Sequence, residues 1–330
     1  MVLASEVGLV VIGRNEGERL RRCLASIEDH PGPVVYVDSA STDGSPQAAR
    51  SAGCKTVELG ASGPLTAARA RNAGFERLLE LAPETEYVQF LDGDCELAPS
   101  WMEAARGALD AAADVAAACG RLRERAPDAS LYNRLCELEW DGPLGEIRAC
   151  GGNALLRVGP FREVGGFDPN VVAAEDDELC VRLRLAGYRI LRIDAEMGWH
   201  DAAMTRFAEW WTRAVRTGYA FAQGEALHGR SRLRHFRREV RSTWLWGVAL
   251  PAAIALAAIA SGGWGLLLLA VYPLLAARIY RAQRGGGRAA GDALLYAVAC
   301  VVAKFAHALG GLRFRIDRAR RRPSALIEYK

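Results

Sequence analysis

Apolar residues first come as a block. Val7 to Gly13 (VGLVVIG) is continuous, the pattern of a parallel strand covered on both faces. Arg14-Asn15-Glu16-Gly17 ends it, and Leu20, Cys23, Leu24 and Ile27 then recur at helical spacing. Pro31-Gly32-Pro33 breaks that helix, and PVVYVDSA predicts a second strand ending at Asp38. This β-α-β order builds a right-handed parallel sheet. A polar loop, Ser39 to Ser45, precedes a short third strand, KTVEL; a helix over Thr66 to Ala82 carries Arg69 and Arg71 in its first two turns. VQFLDGDCEL, residues 88 to 97, is the fourth strand and runs straight into Asp92, Gly93 and Asp94. Residues 99 to 112 predict a helix, 114 to 122 a strand, and Pro127 to Trp140 a further helical stretch. Glu175-Asp176-Asp177-Glu178 opens a helix that stops at Gly187, and Tyr188 to Ile193 is the last apolar strand, with Trp199-His200 after it.

The pattern then changes. Residues 205 to 224 predict a helix with aromatics on one side and arginines elsewhere, which suits a bilayer interface. Trp244 to Ala260 and Trp264 to Tyr280 are apolar runs of 17 residues each, at the short end of what crosses a bilayer. Six arginines lie between Arg230 and Arg241, and Arg278, Arg281, Arg284 and Arg288 follow the pair. With basic flanks at both ends, the positive-inside rule predicts a hairpin whose ends face the cytosol. The other reading of the pair is a buried core hairpin. Ala289 to Leu309 is a third run, but it contains Asp292, Lys304 and His307 and leads into six more arginines, so an interfacial or re-entrant helix is expected.

Composition changes this picture little. The chain of 330 residues is 51% hydrophobic, ample for a core, and its net charge of +3 is concentrated in the arginine-rich C-terminal third. Eight cysteines are scattered singly without zinc spacing, and predict reduced thiols in a cytosolic compartment. Met1 to Gly8 includes Glu6 and leads into a strand, unlike a signal peptide.

The candidate chemistry sits at strand ends, where ligands bind in open α/β sheets. Three of them deliver acids: Glu16, then Asp38 and Asp43, then Asp92 and Asp94. Two carboxylates around a glycine can hold Mg²⁺ or Mn²⁺ whose shell is completed by phosphate; they can also be an Asp-Gly turn. Neither GxGxxG nor GxxxxGK[ST] follows the first strand, which argues against a dinucleotide fold. Gly151-Gly152-Asn153 lets backbone approach a partner closely. Acids in a first helical turn favour the dipole whatever their function, a reading that suits Asp177 and Glu178 best.

VVIGRNEG, VDSASTDGS, FLDGDCE, GGNALLR, FREVGGFD and EDDELCVRLRLAGYRI, in this order, resemble the glycosyltransferase family 2 catalytic domain over roughly residues 5 to 205. The resemblance implies a GT-A fold: a mostly parallel sheet with flanking helices, here followed by C-terminal membrane helices. It also implies an inverting transferase using a nucleotide-diphosphate sugar, UDP-, GDP- or dTDP-linked, with Mn²⁺ or Mg²⁺. Carried onto this chain, Glu16 and Asp43, with Asp38, Asn15, Gly152 and Asn153, hold the nucleotide-sugar; on charge alone, Arg71 is expected to add a charge-assisted contact to its phosphates. Asp92 and Asp94 form the DxD motif, with Asp94 the direct metal ligand and His200 an additional metal or diphosphate ligand; a His200 bonded to loop backbone is the plainer alternative. Glu175 and Asp176 form the ED pair, with Asp176 the catalytic base. Processive relatives carry a QxxRW-type motif where this chain has Glu209-Trp210-Trp211-Thr212-Arg213, so transfer of a single sugar is expected.

The expected organisation is a catalytic domain at 1 to 225, a basic interfacial segment at 226 to 243, a transmembrane hairpin at 244 to 281, and a basic helix and tail from 282 to 330. It places the enzyme on the cytoplasmic membrane with its catalytic domain in the cytosol. The acceptor is expected to be membrane-associated, a glycolipid or exopolysaccharide intermediate, with membrane lipid as a partner and no nucleic acid. A polyprenyl phosphate is the alternative acceptor; a nucleotidyltransferase and a non-catalytic scaffold are the competing classes.

Overall fold

The computed structural model describes residues 6–60 and 65–321. The chain divides into two compact units, Met1–Ala126 with Trp140–Ala202, and Pro127–Glu139 with Ala203–Lys330.

The first unit is a nine-stranded sheet with helices packed on it. Its first half is the predicted parallel unit. β1 (Val7–Gly13) is buried almost throughout and lies between β2 (Val34–Asp38) and β4 (Tyr87–Asp92), with β3 (Lys55–Glu58) at the edge. α1 (Glu18–Ala25) buries Leu20, Cys23 and Leu24, and α3 (Ala67–Leu81) buries Phe75 and Leu78 against the sheet. One short helix was not predicted: α2 (Ser45–Ser51) begins at the last residue of the polar loop, where Asp43 accepts from the Ser45 amide and hydroxyl and starts the turn.

The second half of the sheet is mixed. β8 (Ala154–Arg157) pairs antiparallel with both β4 and β6 (Val115–Glu124), whereas β6 and β9 run parallel. β9 (Arg189–His200) is twice the length of the apolar run that predicts it, so Trp199 and His200 lie inside the strand. Its far end pairs with β5 (Cys95–Leu97), putting Cys95 opposite His200, and its near part pairs with β7 (Gly145–Ile147). α4 (Trp101–Asp110) and α7 (Glu175–Ala186) complete the unit.

The second unit is helical. Arg134, on α5 (Leu131–Trp140), makes two bonds to Asp292, at 2.8 and 2.5 Å, and Tyr132 stacks on Trp210 of α8 (Phe207–His228). A Cβ at Gly218 of α8 would collide with the His307 backbone, and one at Gly310 with the Val215 carbonyl. Glycine is therefore what lets α8 and the last helix, Ala290–Ala319, approach to backbone contact.

Among the described residues, three helices are long and apolar enough to cross a membrane: Arg237–Ala260, Trp264–Gly285 and Ala290–Ala319. The first passes through one π turn at Leu245–Ala249. Only 11% and 6% of the apolar windows of the first two are buried, and Leu256, Ile259, Trp264 and Leu267 are largely exposed. The last helix is 39% buried over its window and unbroken for 30 residues, a form that differs from a re-entrant turn.

Candidate active site

β4 ends at Asp92, whose carboxylate turns toward Arg71. Arg71 donates to it at 2.7 Å, and Asn153 brackets it, accepting from the Asp92 amide at 2.8 Å and donating to its side chain at 3.3 Å. Arg71 also donates to Glu175 at 2.5 Å and is only 3% exposed. Its guanidinium therefore ties the DxD strand to the first residue of α7. Burial works against that positive charge, yet Asp92 and Glu175 raise the Arg71 pKa above its ordinary value. A Cβ at Gly152 would enter the space of the Arg71 guanidinium, which gives that glycine a steric reason. The expected contact of Arg71 with phosphate thus meets a group whose two terminal nitrogens already serve carboxylates.

Asp176 follows Glu175 and is half-buried. Its pKa is pushed up to about 6, first by burial and then by the Glu175 charge, with Arg71 opposing. Its Oδ1 accepts from the Asp177 amide. The helix start alone would lower this carboxyl; burial and the neighbouring acid outweigh it. Asn72 fixes the nearby GGFD turn, donating to the Phe167 carbonyl at 2.7 Å and accepting from its amide at 3.0 Å.

Asp94 points elsewhere. Its Oδ2 lies 3.5 Å from His200 Nε2, and His200 Nδ1 lies 3.4 Å from Glu124, a buried acid at the end of β6. Trp140 stands edge-on to the imidazole at 4.6 Å between ring centroids. A buried carboxylate beside an imidazole nitrogen turned toward it fits a divalent cation, and a nitrogen donor suits Mn²⁺ better than Mg²⁺. Asp92 is not among the ligand atoms gathered there, which come from Asp94, Cys95 and His200.

The nucleotide-side residues form a second cluster. Asn15, at φ 54°, donates its amide to Ser41 and accepts from the Thr42 amide, joining the loops after β1 and β2. Asp38 accepts from Tyr36 at 3.0 Å and the Ser41 amide at 2.7 Å and is almost fully buried, so it shapes the turn. Burial pulls Asp43 up, but its bonds from Ser45 prevail and hold it below its ordinary value. Glu16 pairs with Arg19 at 2.7 Å.

Glu124, Trp140 and Cys95 were not predicted as site residues. Each is an isolated residue at a strand or helix end; β9's long pairing brings Cys95 and Glu124 opposite His200, and Trp140 meets it from the end of α5.

Glycosyl transferase family 2 matches residues 9–165, a segment that includes Asp43, Asp92 and Asp94 and stops short of Glu175, Asp176 and His200. A mannosyltransferase of Pyrobaculum calidifontis, solved with GDP-Man and Mn²⁺, is 22% identical with a TM-score of 0.63, covering 93% of this chain and 87% of that one. TarS of S. aureus, residues 1-349, is 16% identical with a TM-score of 0.52, covering 93% and 91%. At such identities these structures establish the fold. A TPR repeat-containing protein of Synechococcus elongatus is 32% identical over 100 residues, so the match spans 30% of this chain and 23% of that protein.

Proposed function

We propose that this chain is a family 2 glycosyl transferase, the family whose model matches residues 9–165, and that it moves a single sugar, with inversion, from a nucleotide diphosphate to a membrane-associated acceptor. The observation that carries the reading is the pairing of a carboxyl lifted to about 6, Asp176, with a separate, cation-ready Asp94–His200 pair. Leaving-group stabilisation and proton removal need two such different places.

In this mechanism Asp176 takes the proton of the acceptor hydroxyl as that oxygen attacks the anomeric carbon. A base is most useful when its pKa lies near the operating pH, and such proton transfer contributes about 10²–10⁴ in rate. Arg71 holds Glu175 and Asp92 in place, and so sets the field around Asp176. Asp94 and His200 would hold the Mn²⁺ or Mg²⁺, which supplies Lewis-acid stabilisation of the departing diphosphate. Asn15, Glu16 and Asp43 line the loops proposed to hold the nucleoside. GDP-mannose heads the list of candidate donors because a protein of the same fold holds GDP-Man with Mn²⁺.

The membrane assignment rests on the two helices with exposed apolar faces and arginine flanks. A hairpin with both ends cytosolic keeps the catalytic unit on the side where nucleotide sugars are made, and suits a glycolipid or exopolysaccharide intermediate as acceptor.

The test is release of nucleoside diphosphate by detergent-purified protein from UDP-, GDP- and dTDP-sugars, with membrane lipid extract as acceptor and Mn²⁺ or Mg²⁺ present. Metal-dependent release from one donor, lost in Asp94→Asn and Asp176→Asn, is the expected result. Failure of every donor to bind with metal present overturns the reading.

A further inference from the structure

Cys95 and His200 face each other in the register of β5 and β9, so their side chains leave the same face of the sheet as neighbours. Asp94 turns to the same place: one carboxylate oxygen lies 3.7 Å from the Cys95 sulfur, the other 3.5 Å from His200 Nε2. The three ligand atoms, one from each residue, all lie within 4.8 Å of one another. A tetrahedral zinc with bonds of 2.0–2.3 Å sets its ligand atoms about 3.3–3.6 Å apart. The contacts at 3.7 and 3.5 Å use different oxygens of Asp94, and the set with one atom from each residue is contained within 4.8 Å, so its atoms draw in to close on zinc.

We propose that Asp94, Cys95 and His200 form a binding site for a borderline transition metal of the zinc class, in competition with the hard cation of sugar transfer. The site shares Asp94 and His200 with the donor-metal reading above, but its occupancy requires no transfer reaction. A thiolate is soft and discriminates for zinc over Mn²⁺ or Mg²⁺, and the general affinity order of nitrogen and sulfur sites runs the same way. On binding, the thiol releases its proton to solvent and sulfur joins the metal. With three protein ligands filling a four-coordinate shell, one position remains open. That leaves less room for a diphosphate than a six-coordinate cation provides, so zinc is expected to inhibit.

Glu124 supports the same assignment. Its side chain is buried, stands 3.4 Å from His200 Nδ1, and also accepts from the Ala202 amide. A carboxylate on the far nitrogen of an imidazole holds the near nitrogen toward a metal and raises its basicity. Glu124 is thus a positioning residue. Trp140, edge-on to the ring, restricts its rotation.

The deciding experiment is X-ray absorption of the detergent-purified full-length protein loaded with one equivalent of zinc, beside equilibrium zinc binding. One sulfur at about 2.3 Å in the wild type, absent in Cys95→Ser, is the expected result. Glu124→Gln should keep the sulfur but weaken binding by about 10- to 100-fold. Cys95 is fully buried, so the thermal unfolding of Cys95→Ser is measured first; if that variant does not fold, His200→Ala must lose one equivalent of bound zinc. A zinc shell of oxygen and nitrogen only in the wild type, a sulfur shell that persists in folded Cys95→Ser, or undiminished zinc stoichiometry in His200→Ala overturns the proposal. None of these readouts depends on a donor or acceptor, so they stand apart from any failure to detect sugar transfer.

Discussion

Asp176 is where a single residue's environment sets the chemistry. Its ordinary value of 3.8 rises to about 6 through burial and Glu175, so kcat/KM is expected to rise with pH through about 6 and then level. Asp176→Asn should remove about 10²–10⁴ of the rate. The stability effect has the opposite sign. Between 3.8 and about 6 the folded carboxyl stays protonated where the unfolded one has ionised, so this group's stabilising contribution is present at low pH and lost as pH rises through that window. Asp176→Asn never ionises and should melt higher than wild type at pH 7.5, while scanning calorimetry at pH 4 shows a smaller gap. Arg71 is a second test at this scale. Arg71→Met leaves Asp92 and Glu175 facing one another, with a cost of about 3–5 kcal/mol for breaking a buried pair. Arg71 also lowers the Asp176 pKa, so in this variant the acidic limb of the rate profile should move above that of wild type.

Elements decide which residues meet. Glu175 and Asp92 are far apart in sequence and are joined because α7 starts opposite the end of β4, with Arg71 of α3 between them. The acids at strand ends were legible beforehand, since strand ends gather ligands in any α/β sheet. That Asp92 would turn to Arg71 while Asp94 turned to His200 was not legible. The split depends on β9 continuing to His200, and the strand's later part, with Asp194, Glu196 and Gly198, lacks a continuous apolar signal. Helix packing offers a prediction here. Gly310→Val puts a branched side chain against the Val215 backbone, and overpacking costs about 1–3 kcal/mol. The expected outcome is a lower melting temperature and faster proteolysis within helix Ala290–Ala319, with donor binding by the first unit retained.

Taken whole, the chain has a catalytic unit and a helical unit whose exposed apolar surface has only lipid or another protein to cover it. Replacing Leu256, Ile259 and Leu267 by Gln, all largely exposed, should move the protein from the membrane pellet toward the supernatant after cell fractionation. In sealed inverted vesicles, added protease is expected to remove the C-terminus without detergent. Protection until detergent is added would place that end on the other face.

The sequence by itself determined the strand and helix order of the first unit, the acid-bearing strand ends, and the apolar runs with their arginine flanks. Each of these is a local property: periodicity, a carboxylate beside a glycine, or charge next to a hydrophobic stretch. Only the tertiary structure decided the partners. It joined Asp92 to Glu175 through Arg71, set His200 between Asp94 and Glu124, raised Asp176 by burial, and packed the last helix on α8 through Gly218 and Gly310. Those outcomes depend on which distant segments share a surface and how much water they exclude, and no local pattern encodes either.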